Sequence, residues 1–307
     1  MTRHPSGILQ MTPEVERALV RSEAVVALES SLVAHGLPAD VGPDVARESE
    51  AIVREHGAVP ATIAVVDGAV RVGISDDDVL RLARDGDVRK VGPRDLATCA
   101  LSGACGATTV AGTLAVCATA GIHFMATGGI GGVHRGWAET RDVSADVDEI
   151  ARTSVCIVCS GAKSLLDVPA TLEALETSGV PLIGYRTDTF PLFFVRESAL
   201  PVPDRADDPD AIAAAAAAHW GFGRPTGVVV VQPVAGEVAL SADETEAAVA
   251  RALADAQADG VAGQALTPYV LAALREATGG RALTANARLI VDNAALAAQI
   301  AAAYFRP

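Results

Sequence analysis

Lysine is the residue this sequence uses least freely. Of its 24 basic residues only Lys90 and Lys163 are lysine, and the rest are arginine. A chain that meets its need for positive charge with arginine keeps a lysine either by chance on the surface or where an amine must lose its proton. Aromatic residues are also scarce, with two Trp, three Tyr and six Phe in 307 residues. The core must therefore come from Ala, Val, Leu and Ile, and the abundant alanine favours helix. Positive charge is short overall: 24 basic against 38 acidic residues leave a net charge of −14. That balance excludes the broad phosphate-neutralising surface of a nucleic-acid-binding protein and suits one that handles small molecules. The five cysteines are an odd number at no disulfide-framework spacing, which predicts reduced thiols. The longest uncharged stretch, 96–134, is interrupted by Gly and Thr, so no membrane span is expected. Residues 1–10 carry Arg3 and His4 but no apolar signal core, and a cytoplasmic location is expected.

Short apolar runs recur at Val25–Leu28, Ile63–Val66, Val155–Cys159, Val180–Gly184 and Val228–Val231. Their length and flanking Gly, Pro and polar residues predict buried strands. Helical patterns fall at Pro43–His56, Asp77–Asp85, Ala107–Ala120, Ala206–Trp220, Ala242–Asp259, Thr267–Thr278 and Ala285–Tyr304. Another begins after Asp167, with Pro169 in its first turn, and ends before Gly179. Such alternation predicts an α/β fold, one domain over residues 1–307, with a largely parallel sheet covered on both faces. Residues 198–210, rich in Pro and Asp, read as a surface loop. The alanine tract 211–218 reads as a helix packed closely against a neighbour.

Several clusters suit chemistry. The glycine-rich run 128–136 ends in His134, Arg135 and Gly136, and is neither a Walker A loop nor a dinucleotide fingerprint. It serves either as a phosphate cradle, with His134 and Arg135 as added donors, or as a plain turn. Asp142 and Asp146 stand four apart and would share one side of a helix. They are either Mg²⁺ or Mn²⁺ ligands or solvated acids at a helix start. Lys163 follows the run Val155–Cys159, at the edge where parallel sheets bind ligands. It is either a nucleophile that forms an imine with a carbonyl carbon or the partner of Asp167 in an ion pair. Glu29 ends another strand and is placed to serve as an acid or base. Lys90 lies in a basic stretch suited to phosphate. Cys156 and Cys159 have redox spacing, but strand alternation puts them on opposite faces, so they read as structural.

The ordered blocks ALESSLVAHGLP (27–38), VPATIAVVDG (59–68), GATTVAGT (106–113) and ATGGIGGVHRG (126–136) resemble the pseudouridine-5′-phosphate glycosidase family, which includes indigoidine-synthase-A-type proteins. DVSAD (142–146), CSGAKSLLD (159–167), GVPLIGYRTDTFPLFF (179–194) and NARLIVDNA (286–294) extend the likeness over nearly the whole chain. The resemblance implies an α/β/α sandwich, a homotrimer and reversible chemistry on a carbon–carbon glycosidic bond. It also implies that Lys163 attacks C1 of ring-opened ribose 5-phosphate and that Glu29 donates the proton for ring opening. It places Asp142 at a Mn²⁺ (or Mg²⁺) position and Lys90, Val110, Ser144, Ala145 and Asp146 at substrate-binding positions. His134 and Asn286 sit in motifs expected to line the sugar-phosphate pocket. Trp137, Arg141 and the run KVGPRD (90–95) depart from the family's usual HRGAEHTFDISAD and KVSRRD.

The first reading is thus cleavage or formation of pseudouridine 5′-phosphate from uracil and ribose 5-phosphate. The alternative is a biosynthetic C-glycosynthase acting on a different aromatic acceptor, with a phosphatase downstream. A non-catalytic sugar-phosphate-binding protein is a third, weakened by the presence of Glu29, Asp142 and Lys163 together. A sugar kinase is a fourth, suggested by the glycine run alone.

Overall fold

The computed structural model describes residues 8–306. Eleven strands form one sheet. They are β1 (Leu9–Met11), β2 (Val25–Glu29), β3 (Val59–Val66), β4 (Ala69–Val72), β5 (Arg89–Val91) and β6 (Gly106–Thr108), then β7 (Phe124–Ala126), β8 (Cys156–Cys159), β9 (Leu182–Tyr185), β10 (Asp204–Ala206) and β11 (Val228–Val231). The main path runs β1-β4-β3-β2-β7-β8-β11-β9-β10, while β6 bridges β3 and β5 beside it. Every pairing is parallel except β3 with β4 and β3 with β6. The first half of β3 pairs with β2, and its second half carries the antiparallel partners.

Strands β2, β8 and β11 are buried along their whole length, because helices cover both faces. Alternation divides their side chains between two cores. Val25, Ala27, Ile157, Cys159, Val229 and Val231 join one. Val26, Leu28, Cys156, Val158, Val228 and Val230 join the other. The second face is closed by the helices Pro209–Gly221 and Arg281–Tyr304, which pack on each other and on the sheet. They meet the strands through Ala213, Ala216, Ala294, Ala297, Ala298 and Ala301. Small side chains let these helices approach closely, as the alanine tract predicts. Phe124, Trp220, Tyr304 and Phe305 seal one end with edge-on ring contacts.

Cys156 and Cys159 do lie on opposite faces, and burial pushes both thiols up to about 12. All five cysteines are buried and unpaired. A thiol-alkylating reagent at about pH 8 is therefore expected to leave the folded protein unlabelled and to modify all five after unfolding in urea. Labelling of folded Cys156 or Cys159 would restore the redox reading.

Some boundaries differ from those the sequence predicts. The expected helix Ala107–Ala120 begins only at Val110, capped by the Thr109 hydroxyl, because residues 106–108 pair with β3 and β5. The helix expected from Ala206 begins at Pro209 behind an Asp208 cap, and part of the supposed surface loop is the edge strand β10. Strands β1, β5, β6, β7 and β10 are three residues each, too short to show as apolar runs. Among the described residues no helix is long and apolar enough to cross a membrane.

Candidate active site

The carboxyl ends of β2, β7 and β8 meet at the middle of the sheet, where open parallel sheets gather ligands. Glu29 is the last residue of β2, Thr127 follows β7, and residues 160–163 follow β8. Gly161 turns this segment with φ +86°, and a Cβ there would collide with the Pro191 carbonyl oxygen. The Lys163 amide then donates to the Ile130 carbonyl at 3.1 Å, fixing the lysine beside the glycine-rich run.

Lys163 opens onto a cleft of about 650 Å³ that also receives Lys90, His134, Asp142, Ser144 and Asp146. Ala145 borders it as well. The Lys163 amine has no hydrogen-bond or ion-pair partner among the described residues. The proposed pairing with Asp167 is absent: that carboxylate caps the next helix by accepting the Ala170 amide at 3.1 Å. Lys90 stands on β5 with its amine donating to the Gln264 carbonyl at 3.3 Å. Burial makes Lys90 easier to deprotonate, and the Lys163 ammonium adds to the effect. His134 is likewise held towards its neutral form, by burial against the opposing pull of Asp142 and with help from both lysines. The only two lysines of the chain thus face one cavity.

Glu29 is buried, with 3% of its surface exposed, and it borders a small cavity under Leu28 and Ile290 rather than the cleft itself. Thr127 donates to one of its carboxylate oxygens and Ser31 to the other. Burial raises its pKa above the usual carboxylate range, and Lys163 and the two hydroxyls only partly offset that. Behind it, the Asn293 amide donates to the Thr127 carbonyl at 2.8 Å and to the Ser160 hydroxyl at 3.1 Å. This network ties the ends of β7 and β8 to the helix Arg281–Tyr304.

Several amides of the glycine-rich run are turned to partners within the protein. The Gly131 amide donates to the Asp146 carboxylate at 2.7 Å, and the Val133 amide donates to the Thr171 hydroxyl. Side chains occupy the spaces where Cβ atoms would stand: Phe193 at Gly129, Ser144 at Gly131 and Thr171 at Gly132. The Arg135 guanidinium grips Glu246 with two hydrogen bonds and is not a donor for the cleft. Asp146 accepts a second amide, from Ala111 at 2.9 Å, so its buried carboxylate joins three chain segments.

Asp142 and Asp146 do not share a helix face, because the helix Ala145–Ile150 begins after Asp142 behind a Ser144 cap. The Asp142 carboxylate has no hydrogen-bond partner among the described residues and borders the cleft. Val110 is buried at the start of its helix, and its neighbour Thr109 borders the cleft instead. Asn286 lies outside the cleft, in a side pocket of about 160 Å³ that adjoins it through His35, Gly36, Pro268 and Leu271. There the Asn286 carbonyl oxygen and His35 Nε2 are buried with no hydrogen-bond partner among the described residues.

Residues 14–303 match the family described as Indigoidine synthase A like protein. The chain belongs to that family. Two full-length relatives are named pseudouridine-5′-phosphate glycosidase. That of Hahella chejuensis is 47% identical, over 98% of this chain and 99% of its own length. That of Escherichia coli K12 is 47% identical, over 97% and 96%. Among solved structures, the prealnumycin C-glycosynthase AlnA in complex with ribulose 5-phosphate superposes with a TM-score of 0.89 at 40% identity, covering 98% of each chain. An indigoidine synthase A-like protein of Thermotoga maritima gives 0.90 at 34% identity, covering 100% and 99%. The mixed α/β fold with its largely parallel sheet is thus the fold of the indigoidine synthase A-like proteins.

Two of the sequence departures resolve as surface. Trp137 is 39% exposed, with the Arg141 guanidinium 5.8 Å over its ring, and neither borders the cleft. Gly92 and Pro93, the altered positions of the KVGPRD run, do border it. Sequence reasoning missed Ser31, Thr127, His35 and Asn293. Ser31 and His35 stand within the quoted block 27–38, Thr127 within 126–136 and Asn293 within 286–294, but none lies in a spacing that marks it out from its neighbours.

Proposed function

We propose that this protein makes and breaks the carbon–carbon glycosidic bond between C1 of ribose 5-phosphate and a heteroaromatic ring carbon, with pseudouridine 5′-phosphate as substrate and uracil as aglycone. The observation that carries the reading is the convergence of Lys163, Lys90 and buried Glu29 at one sheet edge, in a chain full-length similar to named pseudouridine-5′-phosphate glycosidases.

A C-glycoside has no heteroatom to accept the electrons of the broken bond, so opening the ribose ring and forming an imine supply the route. A proton drawn from Glu29 reaches the ring oxygen as the C1–O bond opens. The Lys163 amine bonds to C1 and gives up a proton, and the aglycone carbon takes a proton in turn and departs with the electrons of the carbon–carbon bond. Water then hydrolyses the Lys163 imine and releases ribose 5-phosphate. Lys90 and His134 supply donors for the sugar phosphate, and Ser144 and Ala145 present the backbone and hydroxyl of a helix start to it. Asp146 holds the frame through its two amides.

Mn²⁺ or Mg²⁺ fits this cleft in one form only. Among the described residues no three His, Cys, Asp or Glu side chains gather as a metal cage. The unpaired Asp142 carboxylate suits an ion held by a single protein oxygen together with water and substrate phosphate, as hard divalent cations often are. Bound there, such an ion would supply positive charge against the sugar phosphate. Homotrimeric assembly and a cytoplasmic location belong to the same reading, and exposed Leu101 and Phe222 offer apolar surface for subunit contact.

The test is incubation with ribose 5-phosphate, uracil and Mn²⁺, followed by chromatography and mass spectrometry. Pseudouridine 5′-phosphate is the expected product. Likeness to AlnA supports a second reading, a C-glycosynthase with a different aromatic acceptor. No product from protein that borohydride still traps with ribose 5-phosphate would favour it.

A further inference from the structure

Glu29 faces a difficulty as a proton donor. Its carboxyl borders the small cavity behind the sheet edge, while the cleft that receives Lys163 is bordered by Ser31. Ser31 is half-buried, two residues beyond Glu29, and its hydroxyl bonds directly to the carboxylate. We propose that Ser31 is the proton relay between Glu29 and the ring oxygen of the sugar in the cleft.

Three local features support this assignment. Ser31 stands at the cap position of the single wide helical turn Leu32–Gly36, where a serine hydroxyl ordinarily accepts a backbone amide. It makes no such bond here, so the hydroxyl is directed to Glu29 at the expense of capping. The adjacent Ser30 is used quite differently: its hydroxyl donates to the Ile63 carbonyl at 2.6 Å and accepts the Thr108 amide at 2.9 Å, a purely structural tie between β3 and β6. The other Glu29 oxygen is taken by Thr127, which is 1% exposed and borders no part of the cleft. That leaves Ser31 as the hydroxyl residue that both bonds the buried acid and borders the open cleft.

The transfer balances without any added reagent. In ring opening, the protonated Glu29 carboxyl gives its proton to the Ser31 oxygen while the Ser31 hydroxyl proton passes to the sugar ring oxygen. One O–H bond breaks and one forms at serine, which ends as it began, and Glu29 is left as the carboxylate. The C1–O electrons stay on the ring oxygen as its new hydroxyl. Ring closure in the synthetic direction runs the same two transfers backwards. The charged groups acting on Glu29 are Lys163, which steadies the carboxylate left behind, and Asp146, which opposes it. A relay of this kind lets the acid stay buried while the half-buried serine hydroxyl meets the sugar.

The inference rests on the imine-based reading of the cleft, and the test separates the two. Open-chain ribose 5-phosphate in solution presents an aldehyde that needs no enzymatic ring opening, so borohydride trapping at Lys163 does not require the relay. Ser31→Ala is expected to lower the steady-state cleavage of pseudouridine 5′-phosphate by about 10²-fold or more, in the range of general acid catalysis. Trapping with ribose 5-phosphate should persist. Ser31→Thr, which restores the hydroxyl, should recover most of the loss. In mixtures of light and heavy water the wild-type rate should curve as two moving protons require, and the Ser31→Ala rate should not. Ser31→Ala within about threefold of wild type, or Ser31→Thr as impaired as Ser31→Ala, would overturn the relay. Absence of both trapping and turnover in the wild type would overturn the underlying reading instead.

Discussion

Lys163→Ala is expected to lower turnover of pseudouridine 5′-phosphate by at least about 10³-fold, equivalent to about 4 kcal/mol of barrier, and to abolish the borohydride-trapped sugar adduct. The size follows from the chemistry, since no other amine can replace the covalent step in the same place. Lys90 shares the cleft but stands on a different strand, with its amine turned to the Gln264 carbonyl. Lys163→Arg should be as inactive as Lys163→Ala, because a guanidinium keeps its charge and does not form the imine. The fold should survive both changes. The Lys163 side chain has no hydrogen-bond or ion-pair partner among the described residues, and the Ile130 contact uses only its backbone amide. Mass spectrometry after reduction reads the adduct, and thermal melting checks the fold. Full adduct formation in Lys163→Ala would move the covalent role elsewhere.

Glu29→Gln should lower turnover by about 10²- to 10⁴-fold and at the same time stabilise the protein at neutral pH. The sign follows from linkage. Burial raises the folded-state pKa of Glu29 above that of the unfolded chain. Below the ordinary carboxylate pKa both states hold the proton and the group contributes nothing. As pH rises through that value the unfolded state ionises first, and wild-type stability falls until the folded-state pKa is passed. Glutamine removes this loss while keeping one oxygen for the Thr127 hydroxyl. The melting temperature of Glu29→Gln should therefore exceed that of the wild type at about pH 8, with the gain vanishing near pH 4. A variant less stable than wild type at both values would show that burial does not dominate at this carboxyl.

Much of this site can be read from the chain alone, for identifiable reasons. The scarcity of lysine singles out Lys90 and Lys163 without any structure, and both border one cleft. Full-length apolar runs such as Val228–Val231 announce β11 because a strand buried on both faces leaves no room for polar residues. Other features depend on long-range contact and leave no local trace. The glycine run suggests a phosphate loop, yet Gly129, Gly131 and Gly132 are small because Phe193, Ser144 and Thr171 fill the neighbouring space. Asp142 and Asp146 suggest a helical pair, yet the Ser144 cap breaks the helix between them. Ser31 and Thr127 are ordinary hydroxyl residues until the fold sets them on the two oxygens of Glu29.

The Asp146 carboxylate also bears on how such an enzyme changes over generations. By receiving the amides of Ala111 and Gly131 it locks three chain segments together from inside, whereas the short turn Trp137–Thr140 projects into solvent and takes no part in that lock. Mutations can accumulate in the turn without disturbing the position of Lys163. The frame itself is far less tolerant, since any side chain at Gly131 would collide with Ser144 and with Asp146. A single buried acid thus divides the chain here into an interior that tolerates no added atom and an outer rim with room for change.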